Sequence, residues 1–287
     1  RIVTKIFDIL VSNNSSFFRF SSKPYISGDT FRNLSKHIHD ETKLVNPKNV
    51  NENDIVFLKT DFIESYFSNI HPQISFNYNL ITHNSDISVT NKLIKLKDEN
   101  IKNWFIQNLD APATKSIHPL PIGLENRRYF NNGRISLYKR TQANSKNKYI
   151  LSAFNTFSNP KERSELNKIT KNNPLVNKLD ASFQNDYVSE LASHKYALCP
   201  AGNGLDSHRI WESLILGVIP IVKESYFSKN LNNMGIPMVL LKNWEELRNL
   251  TSDKLEENYI QTLKRVELQK FSSFAFWNKF ILEEIKT

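Results

Sequence analysis

One short run of this chain, CPAGNGLDSHRIWESLILGVIPIV at residues 199–222, brings a glycine-rich turn, a histidine, an arginine and a glutamate close together. Tyr196 to Cys199 is apolar and reads as a strand. In the loop after it, Gly202, Asn203 and Gly204 permit a tight turn with backbone N–H groups aimed inward. Asp206 or Ser207 is placed to cap a helix that ends at Gly217, before the buried strand VIPIV. Helical spacing puts Ile210, Trp211, Leu214 and Ile215 on one face and Arg209, Glu212, Ser213 and Leu216 on the other, with His208 at the helix start. A helix N-terminus offers unpaired N–H groups and the positive end of its dipole, which suits phosphate. Arg209 adds a planar fork for phosphate oxygens. Glu212, one turn on, can accept from two neighbouring hydroxyls such as a ribose presents. The set suits holding a nucleoside diphosphate better than moving a proton. A plainer reading stands beside it, because glycine turns are common and an Arg and Glu three apart often form only a surface ion pair. The Gly-Lys-Ser/Thr of a P-loop and the G-x-G-x-x-G dinucleotide spacing are both missing.

These residues need a scaffold, and the rest of the chain supplies the pattern of one. Short apolar runs alternate with helical ones throughout, which predicts an α/β fold with mainly parallel sheets. Strands are expected at DIVFLKT (54–60), YNLITH (78–83), NWFIQN (103–108) and HPLPIGL (118–124), then at KYILSAF (148–154) and PMVLL (237–241). SGDTFRNLSKHIHDE predicts a helix with Phe31, Leu34 and Ile38 on one face, and NDYVSELASHKYALC a helix running into a strand. Residues 131–148 are polar, basic and without an apolar period, so they read as the boundary between two domains, 1–143 and 144–287. FSSFAFWNKFILEEI predicts a final helix that closes the molecule. Ligands of open parallel sheets bind beyond the carboxyl ends of the strands, here in the cleft between the halves.

The run at 199–222 resembles the C-terminal signature of exostosin-like glycosyltransferases: a Cys-Pro-x-Gly stretch, then Arg-x-x-Glu, then a Gly-x-x-Pro strand. The close likeness covers roughly residues 187–223. More loosely, SGDTFR, ITHNSD and PIGLENR are similar to segments of small bacterial and viral sugar transferases. The resemblance implies a GT-B architecture, two Rossmann-like domains with a cleft between them, the acceptor on the N-terminal side and the donor held by the C-terminal domain. It places Arg209 on the diphosphate and Glu212 on the ribose. The chain departs by carrying Asp-Ser-His before the arginine where exostosins have a shorter Ser-Pro pair, which leaves open the role of His208 and the base on the donor. No Asp-x-Asp triplet of the metal-dependent transferase fold is present, so a metal-independent reaction without cofactor is expected.

Such a reaction also needs an acceptor site and, if inverting, a general base. THNSD follows a strand, at the expected cleft, and offers Asp86 or His83 as the base with Asn84 beside them; a turn that caps the next helix explains the same residues. PLPIGLENRRYF offers Glu125 and Arg127 toward an acceptor or phosphate, against a solvated pair of arginines as the alternative. Asp29 in SGDTF either reaches the cleft or caps a helix. The expected activity is transfer of a hexosyl, pentosyl or related sugar from a diphosphate-activated donor to a hydroxyl of a glycan or lipid-linked glycan, in surface polysaccharide or lipopolysaccharide synthesis. The alternative is a non-catalytic nucleotide- or glycan-binding module of the same fold.

Composition narrows the setting. The 287 residues suffice for one large domain or two ordinary ones, and 19 Phe, 10 Tyr and 4 Trp supply a core. The net charge of +9 is spread along the chain and suits an anionic substrate or peripheral contact with an anionic membrane. Basic and aromatic residues do not interleave as a nucleic-acid surface requires. The densest basic stretch, NNGRISLYKRTQANSKNK, reads as an exposed connector. Cys199 alone can form no internal disulfide and reads as a small buried hydrophobe, which favours a cytoplasmic, reducing location. His37, His39, His71, His118 and His194 have no metal-site spacing. No signal peptide or run of 18 apolar residues is evident, and the start at Arg1 suggests a piece of a longer polypeptide.

Overall fold

The computed structural model describes residues 19–129, 133–141, 146–180 and 183–287. Two five-stranded parallel sheets form two Rossmann-like halves, the GT-B arrangement. The first sheet runs in chain order through β1 (His37–His39), β2 (Ile55–Lys59), β3 (Tyr78–His83), β4 (Ile101–Gln107) and β5 (Ile117–Leu120). The second uses β6 (Lys148–Ser152), β7 (Val176–Lys178), β8 (His194–Leu198), β9 (Ile219–Lys223) and β10 (Val239–Leu241) in the order β10-β9-β8-β6-β7. Its order therefore reverses between β6 and β8, the switch point where open α/β sheets leave a crevice. The boundary expected at 143/144 lies outside the described residues.

All six residues of β3 are buried, the polar Asn79, Thr82 and His83 included, as in a parallel sheet covered on both faces. Three expectations shift. Ser27 caps α1 (Gly28–Leu34) by accepting from the Thr30 N–H, but the helix stops at Leu34, and Ile38 lies in β1. HPLPIGL keeps strand structure only to Leu120. The basic stretch is more than a connector: it contains α2 (Ile135–Arg140), whose Tyr138 is fully buried.

Three further helices position the site. They are α3 (Pro160–Thr170), α4 (Gln184–Ala192) and α5 (His208–Ile215). In α5 the apolar face is buried as the spacing demanded, and Trp211 meets Trp277 of the last helix, α6 (Phe274–Lys286), at 6.0 Å. That final helix crosses back to the first sheet, where Phe280 packs on Phe105 and His118 and the Glu284 carbonyl accepts from Asn103 Nδ2 at 3.2 Å. The crossing joins core residues of both halves into one apolar cluster. Among the described residues no helix is long and apolar enough to cross a membrane.

Candidate functional site

Two cavities open side by side where the halves meet. The larger, about 530 Å³, lies at the switch point of the second sheet. Ala153, Phe154 and Asn155 enter it from the end of β6, Gln184 and Tyr187 from α4, and His208, Arg209 and Glu212 from the start of α5. Ser207 caps α5 by accepting from the Arg209 N–H at 3.4 Å. Arg209 is steered by one hydrogen bond, Nε to the Ala153 carbonyl at 2.7 Å, and forms no ion pair among the described residues. Its terminal nitrogens make no hydrogen bond to the described residues. Glu212 is only 5% exposed and takes a hydrogen bond on each carboxylate oxygen, from the hydroxyls of Tyr138 and Tyr187, both at 2.8 Å. Burial and the Glu212 charge push both phenols well above their usual pKa, so they remain donors. They fix the carboxylate while leaving each oxygen a further lone pair for a ligand hydroxyl.

Behind this wall stands Arg163 of α3, buried, with Nε on the Ala201 carbonyl at 2.9 Å and Nη1 on the Asn155 carbonyl at 2.9 Å. Burial first, and then the nearby Arg209, lower its pKa to about 10. It props the loops after β6 and β8 and adds positive potential behind the cavity. Nothing in the local sequence marks Arg163 or the two tyrosines, because each acts through a partner distant in the chain.

The smaller cavity, about 400 Å³, is lined from the first half by Lys59, Asp61, Asn84, Ser85, Asp86, Gln107, Glu125, Asn126 and Arg128. Glu125 and His208 line both cavities and form their common wall. His208 Nδ1 donates to the Gly123 carbonyl at 2.7 Å, which fixes the ring in the common wall. Gly123 sits at φ +69°, and a Cβ there would fall 2.4 Å from the Ile26 carbonyl oxygen, so glycine is required to bring that carbonyl to His208.

Not every expected site residue reaches a cavity. Gly202, Asn203 and Gly204 line neither, and the Gly202 N–H is spent on the Gly204 carbonyl at 3.1 Å. A Cβ on Gly204 would lie 2.7 Å from Asn108 Nδ2, so this glycine serves the contact between the halves rather than a phosphate. Asp206 is likewise turned inward. Its carboxyl accepts from the Ile122 N–H at 2.6 Å and from Trp211 Nε1 at 2.9 Å, and its own N–H donates to Asn108 Oδ1 at 2.8 Å. It is a strut between the halves, and burial raises its pKa to about 7. Arg127 faces away from both cavities and stacks over Phe20, whereas Asn84 and Asp86 reach the smaller one. Asn84 also donates to the buried Asp29, which backs the cavity without lining it.

His83 is fully buried between Phe31 and Phe57. Nε2 meets the Pro121 carbonyl at 2.9 Å and Nδ1 accepts the Asn84 N–H at 2.7 Å, so neither nitrogen is open to an acceptor hydroxyl. Of the two bases expected, only Asp86 faces solvent in the cleft. Burial lowers the His83 pKa to about 4. A depressed base contributes stability that is present above its unfolded value near 6.5 and lost as pH falls through about 4. His118, also lowered to about 4 by burial, acts in the same sense. The denaturation midpoint in urea should therefore drop between pH 6.5 and 4, with a shallower drop in His83→Gln. Equal pH slopes for the two proteins would contradict this placement.

Among the described residues no three His, Cys, Asp or Glu side chains are grouped to hold a metal ion. Cys199 is buried, and burial pushes its thiol up to about 12, which removes it as a nucleophile.

Residues 123–282 match the family described as the RXYLT1 C-terminal domain. A human protein, ribitol-5-phosphate xylosyltransferase 1, is 31% identical over 90 residues, an alignment covering 26% of this chain and 18% of that relative. The chain is also similar to an α,α-trehalose-phosphate synthase (UDP-forming) of Burkholderia vietnamiensis, with 6% identity, a TM-score of 0.47 and coverage of 84% and 76% of the two chains. For the E. coli structure described as trehalose-6-phosphate bound with UDP-2-fluoro glucose the identity is 8%, the TM-score 0.49 and the coverage 83% and 74%.

Proposed function

The chain belongs to the RXYLT1 C-terminal domain family, and from that premise we propose that it transfers a sugar from a nucleoside-diphosphate donor to a hydroxyl of a phosphate-bearing glycan or polyol. The observation that carries this reading is the pairing of Arg209, which has no carboxylate partner among the described residues, with Glu212, a carboxylate held by two tyrosines, in one cavity at the switch point. Arg209 and the N-terminus of α5 meet the diphosphate, and Glu212 accepts from the ribose. Phe154 and Phe183 offer faces for the nucleobase. The second cavity holds the acceptor, with Asn84, Asp86 and Asn126 as hydrogen-bonding groups. The human relative's name suggests a pentosyl donor and a polyol-phosphate acceptor; surface polysaccharide or lipopolysaccharide is the setting we favour.

In the proposed step the acceptor oxygen bonds to the anomeric carbon as that carbon's bond to the diphosphate breaks. The hydroxyl proton passes to Glu125 on the common wall, with Asp86 orienting the hydroxyl. The leaving diphosphate takes the bonding electrons, and its charge is met by Arg209 without a resident metal.

The test is release of nucleoside diphosphate from a panel of sugar nucleotides, with and without a polyol-phosphate acceptor. Release should depend on the acceptor. In Glu125→Gln, kcat should fall by about 10²–10⁴-fold while donor affinity holds. Binding of donors with no acceptor-dependent release would instead favour the non-catalytic module, and an unchanged kcat in Glu125→Gln would remove that residue as base.

A further inference from the structure

We propose that a third cavity, lined by Lys23, Arg127, Arg134, Ser136 and Lys139, binds a phosphate-rich segment of the acceptor remote from its reacting hydroxyl. This rests on the sugar-transfer reading but concerns a different surface. The cavity measures about 390 Å³, and among the described residues that line it four are cations and none is a carboxylate. Elsewhere Arg19, Arg32, Lys36, Lys59, Lys102 and Arg128 are each paired with Asp or Glu. Among the described residues, none of the four cations here has such a partner. Gathering like charges without a counter-charge is unfavourable, and a polyanion offsets it.

Two of the cations are held in place on aromatic rings. Lys23 Nζ sits 3.9 Å from the centre of the Phe274 ring and the Arg127 guanidinium 5.6 Å from that of Phe20. Arg127 and Arg134 supply planar forks that suit phosphate oxygens, and Ser136 a hydroxyl. The position matters as much as the charge. Gly133 lies against the back of loop 123–129, where a Cβ would fall 2.8 Å from the Glu125 carbonyl oxygen and 2.9 Å from that of Asn126. The side chains of Glu125, Asn126 and Arg128 line the acceptor cavity. One loop thus separates the acceptor cavity from the basic one. A chain of phosphodiester units entering the first can continue over the loop into the second.

The test uses the whole protein and Arg134→Glu/Lys139→Glu, two exposed positions whose reversal leaves both cleft cavities intact. The probes are medium-chain inorganic polyphosphate, nucleoside diphosphate, and vesicles of phosphatidylglycerol in phosphatidylcholine. Polyphosphate affinity at low salt should fall at least tenfold in the variant, and the salt dependence of its logarithm should flatten by roughly 1 to 2. Nucleoside diphosphate affinity should be unchanged. Equal polyphosphate affinity in both proteins overturns the proposal. So does variant-sensitive binding to vesicles without binding of soluble polyphosphate, which would assign the patch to a membrane. Variant-sensitive polyphosphate binding by a protein that never binds nucleoside diphosphate would keep this site and remove the reading of the donor cavity.

Discussion

Replacing Arg209 by alanine is expected to lower turnover about a hundredfold or more, the scale of ~3 kcal/mol seen when one charge-stabilising donor is removed from a developing anion. The expectation rests on placement. Arg209 is tethered through Nε to the Ala153 carbonyl, so its remaining donors are aimed before any ligand arrives and need no reorganisation during the reaction. Arg163 does not substitute for it, because its own donors are committed to the Asn155, Pro200 and Ala201 carbonyls. The loss should fall on kcat and on kcat/KM together, since charge on the leaving diphosphate grows toward the transition state. Folding should be preserved, because the side chain is only half-buried. Turnover of Arg209→Ala within threefold of the unaltered protein would remove this residue from the mechanism.

The largest effect on stability is expected at Asp206. Its carboxyl is the acceptor for the Ile122 N–H of the first half and for Trp211 Nε1 of α5. Alanine would leave both donors buried without a partner, at about 1–3 kcal/mol each, so Asp206→Ala should lose roughly 2–5 kcal/mol. Asparagine keeps an oxygen of the same reach and should lose less. The raised pKa near 7 adds a sign to the prediction. A carboxyl raised in the folded state contributes stability that is full below its unfolded value near 3.8 and is lost as pH rises through about 7. Unfolding in urea at several pH values reads both effects. A variant within about 0.5 kcal/mol of the parent protein would show that the strut does not hold the halves together.

The elements were largely legible in the sequence where local physics decides them. Tyr78–His83 alternates nothing and buries everything, as a parallel strand does, and Ser207 and Ser27 cap their helices as short side-chain acceptors do. Leu34 marks the limit of that approach. Phe31, Leu34 and Ile38 have helical spacing, yet Ile38 belongs to β1, because pairing with Phe57 in β2 outweighs one more turn of a short helix. Within the site, the spacing of Arg209 and Glu212 was readable because both lie on one helix. What holds them was not. The hydroxyls on Glu212 come from 74 and 25 residues away in the chain, and the N–H on Asp206 from 84 away. The sequence displayed the glycines as a phosphate loop, whereas Gly204 answers a steric demand of Asn108 on the opposite half. His83 shows the same limit. Its type and position after a strand fit a base, and only the Pro121 carbonyl and Asn84 N–H reveal that both nitrogens are occupied.

Whether the cavity bounded by Arg209 and Glu212 holds a nucleoside diphosphate can be tested by binding, without knowledge of the acceptor. The first measurement is thermal unfolding of the unaltered protein and Arg209→Ala with nucleoside diphosphates at about a hundred times the dissociation constant, where one site adds about 2.7 kcal/mol. Tm should rise with at least one nucleotide, and that rise should be lost in Arg209→Ala while its Tm without ligand is unchanged. A rise of equal size in both proteins would put the nucleotide elsewhere.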